Sequence, residues 1–168
     1  TNGTAYTFTA IANNGLFTSS ASAASSAAIP ATVPNAPTSV SASATTAGAA
    51  TVSFTAPLNN GGVALTGFTI TSSPGGFTCI AAASATSCVI SGLTNGTAYT
   101  FTAIATNEIG NSVASSASSA VTPQTAASAP SAITATAGDG QASVAFSGAV
   151  ANGSTIASYT VQAYDSNG

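Results

Sequence analysis

The stretch TNGTAYTFTAIA, residues 94–105, decides the fold of this chain. Its apolar residues Tyr99, Phe101 and Ala103 alternate with threonines, and an apolar residue at every second position is typical of a half-buried β-strand. The same twelve letters open the chain at residues 1–12, which is 93 residues earlier. An unchanged internal repeat of this length indicates a chain built from copies of one structural unit.

The repeat extends over the chain on both sides of this stretch. Pro30 and Pro123 keep the 93-residue spacing, and two single-residue deletions reduce the spacing to 91 towards the C-terminus. The chain therefore starts and stops within repeats. We predict three units, namely the C-terminal part of one repeat at 1–32, a complete repeat at 33–123 and the N-terminal part of the next at 124–168.

Turn signals divide the complete repeat into short strands. Glycine follows Asn60, Pro74 and Asn95 at points where tight turns accept a positive φ. Helix is disfavoured in the Ala/Ser stretches, because Ser and Thr compete for backbone hydrogen bonds and no apolar period of 3.6 is present. Seven strands in about 90 residues favour a two-sheet β-sandwich. The predicted strands are 38–45, 49–56, 65–73, 76–82, 86–92, 97–107 and 113–121.

The composition excludes most chemistry. The 168 residues include no Lys, Arg, His, Met or Trp, and the formal net charge is −3. A Ser or Cys nucleophile needs a base, a zinc site needs His or several Cys, and nucleic acid needs cations that neutralise phosphates. The sequence contains no run of 18 apolar residues, which is the length that a membrane-spanning helix needs. We therefore predict a non-catalytic scaffold with no cofactor, no metal, no nucleic-acid partner and no membrane insertion.

The three acids and the first residue do not change this prediction. Glu108, Asp139 and Asp165 lie in or beside predicted loops and are far apart in sequence, which suits neither a paired-carboxylate hydrolase nor a calcium site. Thr1 could serve as an N-terminal nucleophile. Its twin Thr94 is an ordinary internal residue, so we assign Thr1 no catalytic role.

The region around the deciding stretch resembles a known family. GLTNGTAYTFTAIATNEIG, residues 92–110, resembles the sixth strand of a fibronectin type III domain in its Leu93, its Tyr99 and its Asn107-x-x-Gly110 tail. The opening proline, the VSF of the second strand and the closing VTP also fit. The chain is similar in particular to tandem fibronectin type III repeats of secreted and surface bacterial proteins, which share the Cys pair and the Ser/Ala-rich last strand.

This resemblance implies an all-β fold of tandem, immunoglobulin-like sandwiches of about 93 residues, in an extracellular or cell-surface protein. The tryptophan usual in the second strand of the family is replaced by Phe54 and Phe146. The loop at 106–112 contains no arginine, so the Arg-Gly-Asp adhesion of some members is not carried over.

Two cysteines are predicted to pair. Cys79 and Cys88 flank eight residues between the fourth and fifth predicted strands, and a hairpin there could bring their α-carbons within disulfide range. A redox couple would favour a Cys-x-x-Cys spacing, and two thiolates alone do not complete a zinc site. A persistent disulfide implies an oxidising compartment.

Three asparagines open Asn-Gly-Thr or Asn-Gly-Ser sequons, which are glycan acceptors where the host has the machinery. They are Asn2, Asn95 and Asn152. The alternative is an Asn-Gly turn, which we favour at each position.

The surface predicts self-association. No Lys or Arg is available to guard a sheet edge, and Ile11 and Ile104 point outwards in their strand register, 93 residues apart. Such a chain either packs laterally with copies of itself or relies on the hydration of its Ser, Thr and Asn side chains. We favour the first, with lateral contacts between copies at these isoleucines. The linkers at 30–37 and 123–130 are rich in Pro, Ala, Ser and Thr, which predicts stiff connections between sandwiches.

The leading hypothesis is a non-catalytic structural repeat in the shaft of an extracellular filament or large surface adhesin. The units would form either a covalent array or a polymer in which residues 1–30 of one chain complete the partial sandwich of the next. The alternative is a spacer or binding module of a secreted carbohydrate-active enzyme or a phage virion protein.

Overall fold

Strands of alternating burial form two antiparallel sheets in the middle of the chain. The computed structural model describes residues 1–165. Six strands build the middle part, and a further hairpin follows it. The strands are β1 (Thr38–Thr46), β2 (Ala49–Thr55), β3 (Leu65–Ser73), β4 (Thr78–Ala82), β5 (Ser87–Ser91), β6 (Thr100–Asn107), β7 (Ser131–Gly138) and β8 (Gln141–Ser147). We call the part formed by β1–β6 and the segment 111–121 the central sandwich.

The central sandwich has the order β1-β2-β5 in one sheet and β4-β3-β6 in the other. The predicted strands that correspond to β1–β6 are confirmed, with bounds that differ by at most three residues. Every strand pair is antiparallel, and β3 pairs with β6 over its full length, from Leu65 opposite Asn107 to Ser73 opposite Thr100. The all-β fold class is confirmed.

The core lies between the two sheets and includes Tyr99, Phe101 and Ala103, the residues whose alternation predicted a buried face. The rings of Phe54 on β2 and Phe68 on β3 pack with centroids 4.8 Å apart, which places a phenylalanine pair across the sheets near the usual tryptophan position. Burying such aromatic side chains contributes about 1.5–3 kcal/mol each. The other buried apolar side chains are Ala50, Val52, Ile70, Ala81, Ile90, Leu93 and Ala105.

Two predictions about strands are wrong. The segment 113–121 is not a β-strand, and the β-type pairing of this part of the chain with the neighbouring strand is limited to isolated bridges at Tyr99–Val121 and Thr106–Asn111. The cysteine strands β4 and β5 do not form a hairpin, because they belong to different sheets.

The flanking parts are less regular. Within residues 1–32 the only β-type pairings are isolated bridges, Tyr6–Ala28 and Asn13–Thr18. Residues 124–165 contain the hairpin β7–β8, whose β7 is exposed along its whole length. The division of the chain at 32/33 and 123/124 stays a prediction. We call residues 1–32 the N-terminal segment and 124–165 the C-terminal segment.

Candidate interaction surfaces

Serines at every third position hold the last segment of the central sandwich against β6. The backbone N–H of Ser115 donates to the carbonyl of Ala103 at 2.9 Å, and its Oγ accepts from the Ala103 N–H at 2.9 Å. The same Oγ donates to the carbonyl of Ser116. Each serine therefore satisfies both backbone groups of one β6 residue. The pairs are Ser112 with Ala105, Ser115 with Ala103 and Ser118 with Phe101. We call this set the serine ladder.

The N-terminal segment repeats this ladder at the same 93-residue spacing. Ser22 donates from its N–H to the carbonyl of Ala10, and its Oγ accepts from the Ala10 N–H at 3.0 Å. Ser19 with Ala12 and Ser25 with Phe8 do the same. The identical pattern in two parts of the chain shows that the serine spacing, rather than chance packing, sets the path of this segment.

The ladder explains why the predicted seventh strand is wrong. A β-strand pairs through every second residue, whereas this segment advances three residues between contacts with β6. Unpaired strands at a sheet edge are templates for association with another chain, and proteins usually protect them with charge or irregular backbone. This edge has no charge, and the serine ladder covers it with a segment that is not a strand.

The outer face of the β4-β3-β6 sheet is uncharged and carries two isoleucines. Ile80 on β4 and Ile104 on β6 both pair with Thr69 on β3, so the three side chains form a row across the sheet. Ile80 is 84% exposed, and Ile104 is half-buried. Thr78, Thr71 and Thr102 form the neighbouring row. We call this surface the isoleucine face.

Of the two predicted lateral contacts, Ile104 lies on the isoleucine face and Ile11 is 62% exposed in the N-terminal segment. Ile80 was not among the predicted contact residues. Its signal was available, because the buried Ala81 follows it and strand alternation then directs Ile80 outwards.

The disulfide joins the two sheets. Cys79 on β4 and Cys88 on β5 are bonded, with α-carbons 6.3 Å apart, in agreement with the predicted pair. β4 is an edge strand of one sheet and β5 an edge strand of the other, so the bond closes one side of the sandwich. The short loop that the bond closes constrains the unfolded chain by about 2–3 kcal/mol in the entropic account.

Two of the sequon asparagines hold loops in place. Asn95 Oδ1 accepts from the Gly48 N–H at 2.8 Å, and Asn152 Nδ2 donates to the Ala126 carbonyl at 2.8 Å. Asn2 is exposed. Of these two contacts, only that of Asn152 uses Nδ2, the atom that would carry a glycan, and glycosylation stays a prediction at all three positions.

A tyrosine closes the loop before β6. The Tyr99 hydroxyl accepts from the Thr94 backbone N–H at 3.0 Å, which is the tyrosine-corner arrangement of immunoglobulin-like sandwiches. In the N-terminal segment the Thr1 amine donates to Tyr6 at 2.6 Å. Thr1 therefore has the same position relative to its tyrosine as the internal Thr94.

The three acids do not form part of a metal-binding cluster within residues 1–165. Glu108 and Asp139 are exposed, and Asp165 is the last described residue. No three side chains able to hold a metal ion cluster there. The same part of the chain contains no helix that is long and apolar enough to span a bilayer.

An open apolar cleft of about 380 Å³ lies in the C-terminal segment. Its lining includes Ile133, Val144, Phe146, Tyr159 and Val161. By the repeat register, the last four of these positions correspond to Val52, Phe54, Phe68 and Ile70 of the central core. The cleft therefore has the chemistry of a sandwich interior and not of a polar substrate site.

Comparison with solved structures finds similar folds. Domains A168–A170 of titin are 25% identical with a TM-score of 0.51, over 55% of this chain and 32% of theirs. The FN1–FN3 domains of chicken CNTN1 are 20% identical with a TM-score of 0.50, over 61% of this chain and 37% of theirs. This chain thus spans about a third of those structures. No curated protein sequence matches it.

The profile of the fibronectin type III domain matches residues 35–122, which is just over half of the chain and coincides with the central sandwich. Members of that family are generally non-catalytic modules. With the two-sheet topology and the tyrosine corner, the match shows that the chain belongs to the fibronectin type III family.

Proposed function

We propose that this chain is part of a tandem array of fibronectin type III sandwiches in the shaft of an extracellular bacterial filament or large surface adhesin. In this proposal the sandwiches are structural units without catalysis. They associate with further copies of themselves, end to end and side by side.

The observation that carries the proposal is the recurrence of one strand with its contacts. TNGTAYTFTAIA is present at residues 1–12 and 94–105, and each copy is followed by its own serine ladder. A chain that repeats sequence and hydrogen bonding at a fixed spacing has the character of an array in which each unit contacts its neighbours.

The disulfide supports an extracellular location. The Cys79–Cys88 bond would not persist in a reducing cytosol, and small sandwiches in oxidising compartments commonly use such bonds. The absence of Lys and Arg from the sequence also leaves trypsin-like proteases no site to cleave, which suits a long-lived external polymer.

The isoleucine face supports lateral association. It combines Ile80, Ile104 and neighbouring threonines with no charge, so a second copy could approach without desolvating an ion. The serine ladder covers one sheet edge with a segment that is not a strand. We therefore place lateral contacts on the sheet face and on the remaining edge strands β1, β4 and β5, rather than along the segment 111–121.

The experiment that tests the proposal is the mass of the native protein after denaturation and reduction, by gel and intact mass spectrometry, with negative-stain electron microscopy of the undenatured material. We expect a polypeptide of many times 15.7 kDa and rods with a regular axial repeat. A long polypeptide that carries a catalytic domain or belongs to a virion would overturn the proposal in favour of a spacer.

A species near 15.7 kDa would contradict the covalent array. Polymers of that species would instead require strand donation, in which residues 1–30 of one chain complete the partial sandwich of the next and cover its apolar cleft. A monomer of that mass with no rods would contradict both arrangements.

A further inference from the structure

Two joints between successive parts of the chain are built in the same way. At the N-terminal joint, Gly3 of the N-terminal segment meets Gly62 in the β2–β3 loop of the central sandwich. At the C-terminal joint, Gly96 of the central sandwich meets Gly153 of the C-terminal segment. The first glycines of the two joints are 93 residues apart and the second glycines 91, so the joints follow the sequence repeat.

The glycines bring backbone directly against backbone. A Cβ on Gly62 would overlap the backbone nitrogen of Gly3 and lie 2.8 Å from the carbonyl carbon of Asn2. A Cβ on Gly153 would lie 2.8 Å from the Pro123 oxygen and 3.0 Å from the Gly96 nitrogen. Real Cβ atoms are essentially never found closer than 3.0 Å to such atoms, so neither position has room for a side chain.

The same two backbone hydrogen bonds fix the linker at both joints. In the first bond, the N–H of the glycine in the Asn-Gly turn donates to the carbonyl of the linker proline. Gly3 donates to Pro30 and Gly96 donates to Pro123, both at 2.9 Å. The linker threonine then donates to the next part of the chain. Thr32 bonds the Gly61 carbonyl at 2.9 Å, and Thr125 bonds the Asn152 carbonyl at 3.1 Å.

Asn107 adds a third element to the N-terminal joint. Its Nδ2 donates to the carbonyls of Thr32 and Asn60, each at 2.8 Å, while its Oδ1 accepts from the Ile109 and Gly110 N–H groups. The side chain is 3% exposed and lies at the end of β6. The linker is thus bonded to the loop on one side and to a core strand on the other.

We propose that these joints are rigid couplings that fix the orientation of each sandwich relative to the next. In each joint the Asn-Gly turn, Asn2-Gly3 or Asn95-Gly96, is a docking surface. Its partner is the loop of the following copy that carries Gly62 or the equivalent Gly153. The stiffness predicted from the linker composition then comes mainly from the bonds to Gly61 and Asn152, because Pro and Ala alone restrain only the linker itself. The proposal rests on the proposed array only for its consequence for the shaft, since both joints lie within the 168 residues.

The test compares Gly62→Ala with Gly15→Ala in the 168-residue chain. Both glycines have nearly the same φ, +92° and +91°, but a Cβ on Gly15 would meet nothing within 4 Å. Backbone strain is therefore matched, and only the contact differs. We measure amide hydrogen exchange by NMR at Thr32 for the N-terminal joint, at Thr125 for the C-terminal joint and at Ala103 for the core.

We expect Gly62→Ala to speed exchange at Thr32 at least tenfold and to leave Thr125 and Ala103 unchanged, while Gly15→Ala changes none of the three. Gly153→Ala should speed exchange at Thr125 alone, and it keeps the proposal falsifiable if Gly62→Ala also loosens the core. The proposal would be overturned if exchange stayed at the wild-type rate at Thr32 in Gly62→Ala and at Thr125 in Gly153→Ala. It would also be overturned if Gly15→Ala increased exchange at Thr32 as much as Gly62→Ala does. None of these results depends on the mass of the native protein, so the joint and the array can fail separately.

Discussion

The same twelve residues have two different environments in this molecule. At 94–105 they lead into and form most of β6, where Phe101 is fully buried against the opposite sheet. At 1–12 they form no strand, and Phe8, the twin of Phe101, is 62% exposed. Both copies nevertheless make the serine ladder and the tyrosine contact.

The difference separates local from tertiary causes. The ladder needs only the two halves of a hairpin, so it forms in both copies. Strand character in β6 needs β3, because the residues from Thr100 to Asn107 pair with β3 on the side opposite the ladder. A segment whose sequence favours a strand therefore forms a strand only where a neighbouring strand is present to pair with its backbone.

The twin phenylalanines give the largest expected contrast. Phe101→Ala should lower the free energy of unfolding of the central sandwich by about 3–5 kcal/mol, because it opens a cavity between the sheets. Phe8→Ala, at an exposed position, should change it by less than about 0.5 kcal/mol. Denaturant titrations followed by circular dichroism measure both. Equal losses would mean that the two copies share one kind of packing.

The twin serines test whether the ladder matters for stability only beside a core. Ser118→Ala removes the acceptor of the buried Phe101 N–H and should cost about 1–3 kcal/mol. Ser25→Ala removes the same bond from the exposed Phe8 N–H, where water can replace it, and should cost less than about 0.5 kcal/mol. The same titrations apply. A silent Ser118→Ala would show that the ladder guides the chain path without stabilising the sandwich.

The twin tyrosines sharpen the comparison at a smaller scale. Tyr99→Phe keeps the buried ring and removes only the hydroxyl that accepts from Thr94, so we expect a loss of about 1 kcal/mol. Tyr6→Phe should have no measurable effect on the central sandwich. Thermal unfolding by calorimetry distinguishes them. A loss of several kcal/mol for Tyr99→Phe would indicate a larger role for the corner than one hydrogen bond.

The smallest effect on stability is expected at the isoleucine face. Ile104→Thr keeps a β-branched residue in β6 and should change the free energy of unfolding by no more than about 0.5 kcal/mol. It should weaken self-association in sedimentation velocity at high protein concentration. Val113→Thr is the matched control, because Val113 is 78% exposed in the segment 111–121, where we place no lateral contact. Equal behaviour of the two variants would remove Ile104 from the lateral contact.

Most of the fold could be predicted from the sequence, and the reasons are local. Period-two alternation located β1–β6 because one face of each strand is buried while the other remains accessible. The prediction of a strand at 113–121 is wrong because the serines there bind β6 at every third residue through backbone and side chain, whereas a strand pairs at every second residue. The predicted Cys79–Cys88 disulfide is confirmed, but the hairpin on which that prediction rested is wrong. The strands β4 and β5 are adjacent in sequence and belong to different sheets.

The interaction surfaces were only half predictable. Ile104 could be predicted from the alternation of its own strand. Ile80 lies in the same row because both isoleucines pair with Thr69 on β3, the strand between them. The order of strands in a sheet cannot be deduced from the local sequence pattern. The joints were visible only as Asn-Gly turns. Their contacts connect residues about 60 positions apart, so no local pattern could show that Gly3 meets Gly62.

The sequence by itself determined the strand periodicity, the turns, the repeat and the exclusion of charged-group chemistry, because each depends on the identity and spacing of nearby residues. The tertiary structure decided which copy of TNGTAYTFTAIA becomes a core strand, which sheet edges the cysteines join and where glycine is the only residue that fits. These depend on what approaches each residue from a distant part of the chain. Burial and close backbone contact are properties of the folded arrangement. Two identical stretches of sequence can therefore differ in how deeply their side chains are buried and in what their backbone contacts.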